Sequence, residues 1–271
     1  MATLNGIVRF SGQLGDLVFY RRGKKDVVRQ APIVHHLAEN SRKSATDFGN
    51  ASRNAAYIRK AFATMVKDYG YGDLHNRLNK RLIEIFKTAP AVQAGQRKLV
   101  DGNIKLLQEF QFNAATRLEQ LLIQKPKVTL TDNGFIQLFI PKIETIHLVK
   151  LVPKSDDFVL QLSIFSFDVN SERYEVIKVN DLRFSLEQSH FPGAKLQIPF
   201  EQEGKRILLV AIGLHYLHGQ FRKDDRRYYG CQISHCFHLQ DGAEVAFVEQ
   251  EKEQVESSEA IEQGFSWELG E

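Results

Sequence analysis

The hydrophobic period of this chain changes near Pro126, and that change constrains the fold more than any other feature. Before it, apolar residues recur at three- and four-residue spacing. After it, they alternate. Residues three and four apart share a helix face, whereas alternate residues share a strand face. The first half therefore reads as helical and the second as β.

In the helical half, Ala55, Ile58, Phe62, Met65, Val66 and Tyr69 mark one apolar stripe, with Arg53, Lys60 and Lys67 on another side. Ser44 followed by Asp47 has the form of a capping box, which predicts a helix start there. Gly70-Tyr71-Gly72 ends the helix. A second helix is expected from Asp73 to Lys87, burying Leu74, Leu78, Leu82, Ile85 and Phe86 and exposing Arg77, Lys80, Arg81 and Lys87. The short link implies an antiparallel pair. Weaker helical stretches cover 98–110 and 114–123.

Beyond Pro126, strands are expected at 128–131, 135–140, 147–152, 158–167, 173–179, 195–200, 206–218 and 227–239, separated by turn signals such as DNG, KSDD, HFPG and EQEG. That spacing suggests an antiparallel β-sandwich of immunoglobulin or fibronectin kind. The stretch from Gly6 to Gln30 adds a small β-meander, with strands at 6–10, 16–21 and 26–30 and Gly-bearing turns SGQLG and RRGKK between them. The fold class is α+β: an N-terminal small β-meander with a helical hairpin, then the sandwich, then an acidic tail. Three segments follow, at 1–125, 126–240 and 241–271, and limited proteolysis near 124–134 tests the first boundary.

Charge is distributed unevenly among these segments. Residues 1–125 carry 21 Lys and Arg against 10 Asp and Glu, residues 126–240 carry 14 against 13, and residues 241–271 carry 1 against 10. A basic front can attract a polyanion, and a dense acidic end favours disorder or a loosely attached helix. The candidate polyanion contacts are Arg21, Arg22, Lys24 and Lys25 around the second turn, with Arg53, Lys60, Arg77, Lys80 and Arg81 on the helices. A solvated surface is the plainer reading of the same residues.

The motifs of familiar chemistry are missing. SGQLGD has neither the G-x-x-x-x-G-K-[ST] spacing of a nucleotide loop nor G-x-G-x-x-G, and its G-x-x-G joins strands, not the helices of an RNA-clamping loop. G-x-S-x-G and H-E-x-x-H are absent, and Asp156-Asp157 and Asp224-Asp225 fall in expected turns. CQISHCFH suggests metal ligands, but on a regular strand Cys231 and His235 face one side and Cys236 and His238 the other. His215 and His218 on the adjoining strand leave open a site across that hairpin. No catalytic residue, cofactor or metal ligand is named from the sequence. With two cysteines, no leader-like segment and no run near the roughly 18 apolar residues that span a bilayer, a cytoplasmic protein without a membrane partner is expected.

The elements GIVRFSGQLGDLVFY (6–20), VVRQ (27–30), FGNASRNAAYIRKAF (48–62) and DGNIKLLQEFQFN (101–113) resemble those of an uncharacterised bacterial family of hypothetical proteins. In that family a G-x-L-G-D-L-x-F-Y meander precedes an F-G-x-A…I-R-x-A-F helix and a D-G-N-x-x-L-L…F-x-F-N element. The resemblance covers about the first 120 residues and implies no reaction, cofactor or binding residue. The opening meander is also similar to phage-like structural proteins. The expected function is that of a non-enzymatic interaction or structural protein with protein partners, a component of a larger assembly; the alternative is nucleic-acid binding through the basic N-terminal module.

Overall fold

The computed structural model describes residues 2–3, 11–31, 38–66 and 73–249, and the first of these segments by its backbone alone. The expected strand at 6–10, the helix stop at 70–72 and the acidic end from 250 onward lie outside the described residues. The chain divides into two compact units, Met1–Ala45 and Thr46–Glu271.

The first unit holds a four-stranded antiparallel sheet of β1 (Ala2–Thr3), β2 (Gly12–Leu14), β3 (Leu17–Arg22) and β4 (Lys25–Gln30), in the order β1-β4-β3-β2. Leu14 pairs with Leu17 and Arg22 with Lys25, so each hairpin turns on two residues. Gly15 and Gly23 have φ of 54° and 63°, a conformation that costs glycine little. The first turn is thus Gly15-Asp16, and Gly12–Leu14, which the SGQLG signal places in the turn, is strand.

In the second unit α1 (Glu39–Ala61, counted from Thr46 on), α2 (Ala63–Val66) and α3 (Leu74–Thr88) precede the remaining strands. The apolar stripe of α3 is the expected one, with Leu74, Leu78, Leu82, Ile85 and Phe86 all buried. Because α1 begins at Glu39, Asp47 is not a capping residue. Its carboxylate accepts hydrogen bonds from the Gly95 amide at 3.1 Å and the Arg97 amide at 3.4 Å, and lies 3.3 Å from the Arg97 guanidinium. A helix-interior acid therefore ties α1 to the 95–97 loop.

The stretches at 98–110 and 114–123 are single 3-10 turns, at Leu99–Asp101, Ile104–Leu107 and Leu118–Gln120, and not helices. The reason lies in the DGN triplet. The Asp101 carboxylate accepts from the Lys98 amide at 2.7 Å, the Asn103 amide donates to Thr88 Oγ1 at 2.7 Å, and Asn103 Oδ1 accepts from the Lys105 amide at 3.1 Å. Local side-chain bonds of this kind compete with helix continuation. Asn113 acts similarly further on, its Oδ1 accepting from the Ala115 amide at 3.0 Å, while its amide nitrogen donates to the carbonyls of Arg226 at 2.9 Å and Tyr229 at 2.6 Å.

The remaining strands are β5 (Lys127–Thr131), β6 (Phe135–Ile140), β7 (Ile143–Glu144), β8 (Asp157–Asp168), β9 (Arg173–Lys178), β10 (Leu182–Ser185), β11 (His190–Phe191), β12 (Ala194–Pro199), β13 (Lys205–His218), β14 (Phe221–Arg222), β15 (Tyr229–Gln240) and β16 (Ala243–Glu244). All their pairings are antiparallel. The largest sheet has seven strands in the order β10-β8-β13-β15-β16, with β9 also on β8 and β14 on β13; β12-β6-β5 form a second sheet and β11-β7 a third. The expected strand at 147–152 is replaced by a helical turn, α4 (Thr145–Leu148), which sends the consecutive residues Leu148 and Val149 into one cluster. Strand alternation would have separated them.

The central strands of the seven-stranded sheet, β8, β13 and β15, are buried on both faces. Phe165, Phe167, Ile207, Leu209, Ala211, Tyr229 and Ile233 join a cluster with the helices, while Leu160, Leu162, Ile164, Leu208, Val210 and Ile212 join one with Val128, Ile136, Leu138 and Ile198 of the three-stranded sheet. Among the described residues no helix is long and apolar enough to cross a membrane.

A Cβ placed on Gly102 would stand 2.3 Å from the Ile85 carbonyl oxygen, whereas one on Gly49 of α1 would meet nothing within 4 Å. Gly102→Ala is therefore expected to lower stability by about 1–3 kcal/mol through overpacking. Gly49→Ala is expected to raise it by about 0.5–1 kcal/mol through helix propensity. Urea midpoints of the two variants check the contrast.

Candidate functional site

The nine candidate cations fall into two sets. In the first unit Arg21, Arg22, Lys24 and Lys25 are all exposed around the Gly23-Lys24 turn. Arg21 Nε donates to the Gly23 carbonyl at 3.0 Å, and the Arg29 guanidinium lies 5.7 Å from the Tyr20 ring centroid. Arg22, Lys24 and Lys25 have no ion-pair partner among the described residues.

In the second unit Arg77 is a fastener. Its Nε donates to Asp73 at 2.8 Å, its terminal nitrogens donate to the Gln111 and Phe112 carbonyls at 2.6 and 2.9 Å, and its guanidinium carbon lies 5.5 Å from the Phe110 ring centroid. A guanidinium satisfied on every side holds α3 to the 110–112 segment and has little left for a ligand. Arg81 pairs with Glu84 at 3.2 Å and Arg53 approaches Glu172 at 4.0 Å. Lys60 and Lys80 are exposed without an ion-pair partner among the described residues. Lys60 lines a hollow of about 310 Å³ with Arg59 and His75, two residues that charge on exposed helix faces does not pick out. Their nearness depends on how α1 and α3 pack, which helical spacing does not give.

The Cys/His strand is corrected by a bulge. Val210 pairs with His235 but Ala211 with Ile233, so Ser234 is the extra residue. A bulge shifts the alternation by one. Cys231 and Cys236, expected on opposite faces, therefore both lie in the helix-side cluster. Both are unbridged and buried, and burial pushes each thiol up to about 12. No group of three or more His, Cys, Asp or Glu converges among the described residues. The expected turn acids also have partners: Asp156 accepts from the Gly219 amide at 2.6 Å, Asp157 receives Arg183 Nε at 2.7 Å from within β8, and Asp225 receives Arg227 Nε at 2.9 Å.

Beside the bulge is a polar pocket of about 260 Å³ that the sequence did not signal, lined by Glu109, Lys125, Gln232, Ser234 and His235. Lys125 Nζ bonds Glu119 at 2.9 Å and Glu109 at 3.3 Å, and Gln111 Nε2 donates to Gln232 Oε1 at 2.5 Å. Glu109 holds φ of 63°, a strained value for a residue with a side chain, fixed by its amide bond to the Ile233 carbonyl at 2.8 Å. Burial opposes ionisation of Glu119, but the hydrogen bond from Lys125, a backbone hydrogen bond and the charges of Lys125 and Arg117 together outweigh it and hold the carboxyl below its ordinary value. Burial, aided by Lys105 and Lys125, holds His235 below the usual imidazole range. Lys125 thus stands between two acids, and the pocket carries its own counter-charges.

No protein-family model, curated protein or solved structure matches this chain.

His215 gives a pH signature. It is 3% exposed, its Nδ1 is buried without a hydrogen-bond partner, and burial, reinforced by the Arg222 charge, pushes it from 6.5 down to about 3. The unfolded chain protonates this ring near 6.5 while the folded chain resists until about 3. Its contribution to stability is thus complete above 6.5 and is lost as pH falls through that window. His235 and His238, also lowered, act with the same sign. Melting temperature is expected to fall with acidification across this window, and His215→Leu to make the fall shallower.

Proposed function

We propose that this protein is a non-enzymatic interaction or structural protein, a component of a larger, phage-like assembly, and that its N-terminal β-meander is the arm it offers to a partner. The observation that carries this is the poor burial of the arm. Among the described side chains of its strands only Val27 is buried, while Leu14 is 73% and Leu17 44% exposed. A small sheet gains independent stability from an apolar face that something covers. β2 is an edge strand, and its outer backbone groups suit pairing with another chain. The resemblance of the opening meander to that of a hypothetical bacterial family fits a shared arm. The seven- and three-stranded sheets, read as an immunoglobulin-like β-sandwich, would be the body that carries it, and a cytoplasmic setting suits the two buried thiols. The partner tested is a second copy of this chain.

Sedimentation of the full chain is expected to reveal concentration-dependent association. Leu14→Asp with Leu17→Asp should abolish it while shifting the melting temperature little. A wild-type chain that stays monomeric, or a double variant that associates equally well, rejects the arm as a self-association element.

The exposed tip supports nucleic-acid binding as a second reading, because Arg22, Lys24 and Lys25 lack counter-charges among the described residues. Changing Arg21, Arg22, Lys24 and Lys25 to Glu should weaken binding to duplex DNA without sequence preference. The slope of log affinity against log salt should shrink by about 0.9 for each phosphate that the variant no longer neutralises. Unchanged affinity and slope would remove the tip from consideration.

A further inference from the structure

The hollow beside the first turn of α3 brings together basic groups that, like Lys80, have no carboxylate partner among the described residues. Arg77, Arg81, Arg97, Lys105, Lys125, Arg183 and Arg227 each stand within 3.3 Å of a carboxylate oxygen, whereas Arg59 and Lys60 have no carboxylate partner among the described residues. Arg59 instead meets a ring nitrogen: its Nη1 donates to His75 Nδ1. A guanidinium can only donate, so Nδ1 accepts, while the Asn79 side-chain nitrogen lies 3.3 Å from Nε2. Arg59 Nε is buried and has no hydrogen-bond partner among the described residues. Among the described residues, three basic side chains thus line one concavity of about 310 Å³ with Ala56 and Ala63 as further lining, and without a neutralising acid.

The backbone adds to this field. His75 is the second residue of α3, a fifteen-residue helix whose preceding residue, Asp73, makes no side-chain cap to the first amides. The Asp73 carboxylate is engaged by Arg77 at 2.8 Å, which offsets its negative charge. A helix start carries a partial positive charge and free N–H groups, and suits an anion. Arg supplies a planar fork and Lys a mobile point charge, the combination that grips phosphate oxygens.

We propose that Arg59, Lys60 and His75 form a phosphate-binding site, taking a phosphate group either free, as in a diphosphate, or within a nucleic-acid backbone. The proposal goes beyond the arm reading and does not depend on it. Arg59 and Lys60 contact the phosphate oxygens; His75 is a positioning residue that holds the guanidinium by its Nδ1.

The test is titration of the full chain with pyrophosphate and, separately, with a short single-stranded oligonucleotide lacking terminal phosphate, read by amide chemical shifts. Arg59→Gln with Lys60→Gln should weaken binding about tenfold or more, as removal of charge-assisted bonds predicts. Lys87→Gln, on an exposed residue at the other end of α3, should leave it unchanged. His75→Phe should weaken binding less than the double variant, and His75→Asn should recover part of the loss by restoring an acceptor. Loss in the pyrophosphate arm alone identifies a free phosphate ligand, and loss in the oligonucleotide arm a backbone phosphate. If the double variant does not fold, shifts confined to α1 and the start of α3 in the wild-type chain decide the matter. Absence of saturable binding in both arms, equal weakening by Lys87→Gln, or shifts spread over the whole basic surface overturns the proposal.

Discussion

Everything in the second unit answers to one requirement: β13 must be covered on both faces. From Ile207 through Leu217 every residue of this strand is buried. A strand in that position cannot present a polar side to water, so it needs one apolar layer above and another below. The helices supply the first, through stripes such as Ala51, Ala55, Ile58 and Phe62, and the three-stranded sheet with the segments at 118–122 and 148–152 contributes to the second. Gly213, in the middle of the strand, leaves room for the Met65 methyl group, which would stand 3.0 Å from an added Cβ.

Polar groups then fix how these layers are joined. Asp47, Asn113 and Arg77 each span elements distant in sequence and each satisfies backbone groups that would otherwise be unpaired. Tyr216 and Tyr229 do the same from within the sheet, their hydroxyls donating to the carbonyls of Lys150 and Met65. Such bonds add specificity that apolar packing does not give, because each is satisfied in one arrangement only.

The contrast between legible and hidden features follows from range. The stripe of α3 and the strand Phe135–Ile140 were legible because period defines them, and Lys205–His218 because turn signals bound its apolar run. The helical turn at Thr145–Leu148 was hidden, because two adjacent apolar residues look the same in a strand and in a turn. The start of α1 was hidden because Ser44 and Asp47 imitate a cap, while the bonds that engage Asp47 come from residues 95 and 97. The four cations at the hairpin tip were legible from a local turn signal. The partners of Arg77 and the grouping of Arg59 with His75 were not, since both depend on packing between segments far apart in the chain.

The extra residue at Ser234 divides β15 into two halves that are out of phase. Tyr229, Cys231 and Ile233 belong to the helix side by odd numbering, and Cys236 by even numbering, while Phe237 and Leu239 belong to the opposite cluster. The strand therefore carries a built-in frame. Removing Ser234 would close the bulge and leave His235, Cys236 and Phe237 on the faces they hold now, because Val210 and Ala211, which pair with His235 and Ile233, are consecutive. Removing a paired residue such as Gln232 would instead exchange the two faces on one side of the cut. Lengthening the hairpin loop would likewise leave that frame untouched, so the faces of the strand survive a change in length at the turn or at the bulge but not within the paired stretches between them.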